Sequence, residues 1–169
     1  MDRSRMDGII DPKTAIQTAK LISVPSAFFV AGYCYSFSQN ALPAIYDHRP
    51  QFSASVFSQI SKSAGPVVPT LTAISISAYA YLAYAIPEQR REWSKAAVAM
   101  ALTVPWTGLV MGPGIKRLIE ISQDKEKTLK SEQNLEHRQR LIRWVKQNYV
   151  AVALQVASAV FGVRAIINV

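Results

Sequence analysis

Charge is missing from this sequence over long stretches. Its 19 basic and 11 acidic residues are absent from four windows: Leu21 to Tyr46, Val67 to Ile86, Ala96 to Ile115 and Tyr149 to Val163. A soluble amphipathic helix needs a polar stripe along its whole length, whereas a lipid-facing helix of about 20 residues must exclude charge. The windows also hold no Asp, Glu or His, which excludes a proton-relay pump or a di-iron centre inside a bundle. Cysteine is nearly absent too: Cys34 stands alone, so no internal disulfide forms. The two histidines, His48 and His137, have no Cys or His at metal-ligand spacing, and no metal site is expected. HExxH, P-loop, GxGxxG and GxSxG motifs are all missing, which removes the enzyme classes that depend on them.

What is present is an all-α pattern. Four apolar runs predict a four-helix transmembrane bundle with helix extensions outside the bilayer, one domain over residues 1–169, with spans at roughly 14–38, 67–86, 96–115 and 148–167. The net charge of +8 would suggest nucleic acid in a soluble protein. Here Arg90-Arg91 and Lys116-Arg117 stand at the ends of apolar runs, where cations anchor helices to headgroups. Membrane lipid is therefore the expected partner, and nucleic acid is not. Met1 to Thr14 mixes both charge signs and the run after it carries Pro25, so the first segment reads as retained rather than as a cleaved signal.

Asp11-Pro12 predicts a helix start, and Ala27/Ala31 or Gly32/Ser36 give small residues one turn apart for close packing. Ser38 to Pro66 reads as a long connection broken by Pro43, Pro50, Gly65 and Pro66, with Phe52, Val56, Phe57 and Ile60 at helical spacing. Tyr79, Tyr81, Tyr84 and Trp93 suggest an interfacial belt. Leu118, Ile121, Leu129, Leu141, Ile142 and Val145 suit two helix extensions leaving the bilayer as an antiparallel pair. Lys and Arg divide eight against eleven between the two sides, which leaves orientation open.

Uncharged hydrogen-bonding side chains remain at membrane depth: Tyr33, Tyr35, Gln39, Asn40, Thr70, Thr72, Trp106, Thr107, Asn148 and Gln155. One by one they can be packing groups that bond a neighbouring helix. If several converge, they line an apolar pocket with a few placed donors, suited to a flat lipophilic molecule.

VPWTGLVMGPGIKRLIE, followed by LIRWVKQNY and an apolar run with Gly162, resembles the small four-span anthrone-oxygenase-like proteins of fungal polyketide clusters and their bacterial relatives. The family pattern has a Pro and an aromatic-Thr pair before Met-x-Pro-Thr-Asn-x-Arg-Leu, then Trp, three residues and Asn, usually with an Arg a few positions on. This chain keeps Pro105, Trp106, Thr107, Met111, Pro113, Lys116, Arg117, Leu118, Trp144 and Asn148. It departs at Gly114 and Ile115, in place of Thr-Asn, and at Ala151 or Val152, in place of the arginine.

The resemblance implies a membrane-embedded, cofactor-independent oxygenase of secondary metabolism acting on a lipophilic polycyclic or polyketide-like substrate. A base removes a ring C–H proton, donors steady the oxyanion, and the electron-rich enolate reacts with O₂. On that reading Asn148 and Trp106 donate to a substrate oxygen, Arg117 stands at the pocket mouth, and His48 or Tyr35 is the base. Thr107, Met111, Trp144, Gln155 and Asn40 would contact the substrate. The alternatives are a non-oxidative cyclase or isomerase on the same scaffold, and a non-catalytic membrane scaffold. In a eukaryotic cell the expected location is the endoplasmic reticulum or another endomembrane.

Overall fold

A computed structural model describes residues 11–168, so most of the mixed-charge N-terminal stretch lies outside the described residues. Helix α1 spans Pro12–Ser36. Asp11 caps it, accepting from the Thr14 N–H at 3.3 Å, and Pro12 fills a first-turn position where no N–H is needed. A π-helical turn, Phe37–Ala41, and a short 3₁₀ turn, Pro43–Ile45, lead to α2, Pro50–Ala85. After a 3₁₀ turn at Pro87–Gln89 come α3, Arg90–Pro105, a π-helical turn at Trp106–Met111, and α4, Gly112–Gln123. Helix α5, Lys125–Asn134, and helix α6, Glu136–Ile167, complete the chain.

Among the described residues, four helical stretches are long and apolar enough to cross a membrane: Pro12–Ile45, Pro50–Ala85, Pro87–Gln123 and Glu136–Ile167. Helices α1 and α3 each pack against both α2 and α6, which makes a ring in the order α1, α2, α3, α6. The fold is an all-α membrane bundle. Its outer face is apolar, with Leu21, Phe29, Val98, Val104 and Val160 all exposed, the arrangement a lipid solvent selects.

The 36 residues of α2 measure about 54 Å at 1.5 Å per residue, against a hydrocarbon layer of about 30 Å. The excess emerges at the end that carries the α1–α2 connection and α4 to α6, hereafter the polar end. Residues 50–66 are therefore helix rather than broken loop. Pro66 and Pro69 lie inside α2 and deprive the Lys62 and Gly65 carbonyls of their helical donors. All four residues are exposed, so neither proline ring presses on a neighbouring helix.

The polar end has its own apolar core of Leu42, Ile45, Phe57, Leu118, Leu141 and Val145. The expected antiparallel pair is there as α4 and the start of α6, with α5 inserted between them. Asp124 starts α5 by accepting from the Glu126 and Lys127 N–H groups. Leu135 ends it at φ 55°, a left-handed conformation costly for a residue with a Cβ.

Within the spans, small residues set the spacing. Ala27 and Ala31 are buried, while Gly32 faces outward, which decides between the two small-residue pairs. Gly162 of α6 sits against Val24 and Tyr79. Tyr79 and Trp93 are fully buried and stack at 6.0 Å, and Trp93 Nε1 donates to Gln89 Oε1 at 3.1 Å. Of the expected aromatic belt, only Tyr81 and Tyr84 are exposed.

Candidate functional site

Pro105, the π turn and Pro113 shape the third span. Pro105 has no N–H to give to Ala101, and the chain then shifts register, so that the Gly112 N–H reaches back five residues to the Thr107 carbonyl. Such single π turns inside α-helices recur at functional sites. Two contacts pin this one to α6: Trp106 Nε1 donates to the Gln147 carbonyl at 3.0 Å, and Gln147 Nε2 to the Val110 carbonyl at 3.4 Å.

On the other side of the turn a groove of about 370 Å³ opens between α2 and α3. Its walls are Val68, Pro69, Thr72, Ala73 and Ile76 of α2, and Thr103, Val104, Thr107 and Gly108 of the third span, with Gln155 of α6 reaching in from behind. Pro69, Ala73, Val104, Thr107 and Gly108 are exposed, so the groove opens sideways toward lipid. Thr72, Thr103 and Gln155 are buried and form its inner surface. Thr103 Oγ1 is committed to the Met100 carbonyl at 2.7 Å. The Gln155 side-chain oxygen is shut away and has no hydrogen-bond partner, a costly state at this depth. A soft terminal torsion lets either end of that amide turn toward a bound molecule. Among the described residues, none that lines the groove is acidic, basic or a histidine. The groove presents apolar walls with hydroxyl and amide groups among them, and among the described residues it holds no ionisable side chain.

Of the site residues expected from sequence, the groove gathers Thr107 and Gln155. The others lie elsewhere. Asn148 is buried and spends its amide N–H groups on the Cys34 carbonyl at 2.9 Å and Ser38 Oγ at 2.7 Å, which ties α6 to α1. Trp106 is held by Gln147, and Met111 is buried. Trp144 meets Phe57 edge to face at 5.5 Å. Tyr35 is exposed beside Tyr149, and Asn40 is exposed.

His48 lies at the polar end in a separate surface pocket with Asp47, Glu132, His137 and Arg138. Its carbonyl is 3.3 Å from His137 Nε2. Among the described residues no group of three or more His, Cys, Asp or Glu could hold a metal ion.

Arg117 also lies outside the groove, in an ion-pair network. Its Nε is 2.9 Å from Glu136 and its Nη1 is 3.4 Å from Glu120, and Arg140 Nε reaches Glu136 at 2.6 Å. Hydrogen bonding from Arg117 holds the Glu136 carboxyl down to about 2, with Arg140 adding to the effect. Both partners hold the Arg117 guanidinium above its ordinary range, Glu136 first. The network joins α4 to α6 at the polar end.

Sequence reasoning missed Thr103 as a groove residue, along with Val68, Pro69, Ile76 and Gly108. Thr72 and Gln155 were visible as polar groups in apolar runs, but nothing in the linear sequence says that α2 and α3 part at this level.

Comparison with curated proteins and with solved structures gives no match. The family model described as anthrone oxygenase matches residues 57–161, a range that contains every residue of the groove and of the π turn. The chain belongs to the anthrone oxygenase family.

Proposed function

We propose that this protein is a membrane-embedded enzyme of secondary metabolism that oxidises a flat, lipophilic, anthrone-type substrate held in the α2–α3 groove. One observation carries the reading: the groove opens to lipid, is apolar along its walls, and is backed by a buried Gln155 side-chain oxygen that has no hydrogen-bond partner among the described residues. Family membership supports the reaction class.

An anthrone exchanges a ring C–H for an enol O–H. A carbonyl acceptor at Gln155 favours the enol by taking that hydrogen bond, and the apolar walls keep the enol from water. The enol is electron-rich and reacts with O₂ without a metal. The balance is C₁₄H₁₀O + O₂ → C₁₄H₈O₂ + H₂O for the parent ring system: the ring carbon gains a C=O, and the second oxygen atom leaves as water. The chain's part is to bind, orient and shield. Because none of the described residues that line the groove is ionisable, deprotonation falls to the substrate's own tautomerisation or to a group that enters with it. His48 and Tyr35, the bases suggested by sequence, lie outside.

The same groove fits a non-oxidative isomerase or cyclase, since stabilising an enol serves both. Incubating membranes with an anthrone under air, and following oxygen uptake with the quinone chromophore, separates the two. Oxygen consumed one-for-one with quinone formed, and lost in Gln155→Leu, is the expected result. Substrate converted to a product of equal mass with no oxygen uptake would transfer the assignment to the isomerase. No turnover of either kind would leave a scaffold role.

A further inference from the structure

We propose that the cleft on the α6 side of the π turn binds the phosphate headgroup of an anionic lipid. This cleft, of about 280 Å³, is separate from the substrate groove and is formed by Leu109, Val110, Gly114, Arg143, Trp144 and Gln147, with Arg140 at its edge. Arg140, Arg143 and Gln147 follow at three- and four-residue steps and so share one face of α6.

The cations there are under-used. Arg140 gives only its Nε to Glu136, and among the described residues Arg143 has no acidic side chain at ion-pair distance. Among the described residues none that lines the cleft is acidic. The Arg140 and Arg143 guanidinium groups match the oxygens of a phosphate, a planar fork against a tetrahedral anion.

Position selects the source of that phosphate. The cleft lies where the charged segment ending at Lys146 gives way to the charge-free window from Tyr149, at headgroup depth. Leu109 is 78% exposed and Val110 is exposed beside it, so an apolar wall runs from the cations toward the hydrocarbon layer. That combination suits a headgroup with an acyl chain attached, and basic pockets between membrane helices take such groups. Gly114 keeps the opposite wall open: a Cβ added there meets nothing within 4 Å.

The test is a melting-temperature titration of the purified full chain in neutral detergent with short-chain phosphatidylglycerol, phosphatidylcholine of the same chain length, or inorganic phosphate. Phosphatidylglycerol should raise the melting temperature saturably, and the other two should not. Arg143→Gln should weaken the half-saturating concentration about fivefold, and Gly114→Leu, which fills the cleft from the other wall, should remove the response. If Gly114→Leu does not fold, Arg143→Gln decides alone, because Arg143 is exposed and makes no ion pair among the described residues. Equal stabilisation by phosphatidylcholine, or an unchanged response in Arg143→Gln, overturns the proposal. A matching shift with inorganic phosphate would assign the cleft to free phosphate and overturn the lipid assignment.

Discussion

Gly162→Ala is the sharpest test of how the bundle closes. A Cβ built at Gly162 would stand 2.8 Å from Val24 Cγ2, 3.0 Å from Tyr79 Cε1 and 3.1 Å from the Tyr79 hydroxyl. None of these neighbours can yield cheaply: Val24 is a β-branched residue on α1, and the buried Tyr79 ring is stacked on the buried Trp93. One extra methyl group must therefore spread α6 from both α1 and α2, an overpacking that costs about 1–3 kcal/mol. Removing a helical glycine returns about 1 kcal/mol, so the net loss is up to about 2 kcal/mol. Gly32→Ala and Gly65→Ala supply the control, since nothing lies within 4 Å of a Cβ at either; only the propensity gain applies. Thermal unfolding of the three variants in one detergent should place Gly162→Ala below wild type and the other two at or above it. If Gly162→Ala unfolds with Gly32→Ala, the close approach of α6 to α1 and α2 is wrong.

Asn148→Ala breaks the bonds to Cys34 and Ser38 and should cost about 1 kcal/mol in the membrane, while activity per folded molecule is unchanged; a catalytic Asn148 would instead lose turnover at constant stability. Gly108→Leu places a side chain at the groove mouth, where a Cβ meets no other atom within 4 Å, and should raise KM at least tenfold or abolish turnover with little change in melting temperature. For Glu136, the folded carboxyl is held at about 2 against an ordinary 4.5. A lowered folded value contributes stability above the unfolded value, lost as pH falls from about 4.5 toward 2. That contribution is about 2 kcal/mol once solvent screening of the partly exposed partners is counted. Acid unfolding of wild type and Glu136→Gln should therefore converge at low pH, and parallel curves would contradict the pairing with Arg117.

The four spans were legible because bilayer solvation leaves an unmistakable trace, the charge-free window. The extensions were harder. Gly65-Pro66 looks like a break, yet α2 continues through it because both prolines face outward and the freed carbonyls belong to exposed residues. Helix α5 had a readable start in Asp124, but its end at Leu135 is a left-handed residue with no glycine to announce it. Trp93 and Tyr79 resemble belt aromatics in sequence and are core in the fold, since depth along a helix does not say which way a ring points. For the site, Gln155 stood out as the only strongly polar group near the middle of its span. Asn148 looked equally promising, and only the partners it meets on α1 show that its donors are occupied. The family motifs cluster around the π turn and its contacts with α6, whereas the groove draws on α2 residues that no motif marks.

Photo-crosslinking measures directly where the substrate sits. An anthraquinone carrying a diazirine, irradiated with the full chain in membranes and mapped by peptide mass spectrometry, should label 68–76 and 103–108, and an unlabelled anthrone should compete. Labelling concentrated at Tyr46 to Arg49 and Glu132 to Arg138, around the His48 pocket, would contradict the α2–α3 groove as the substrate site.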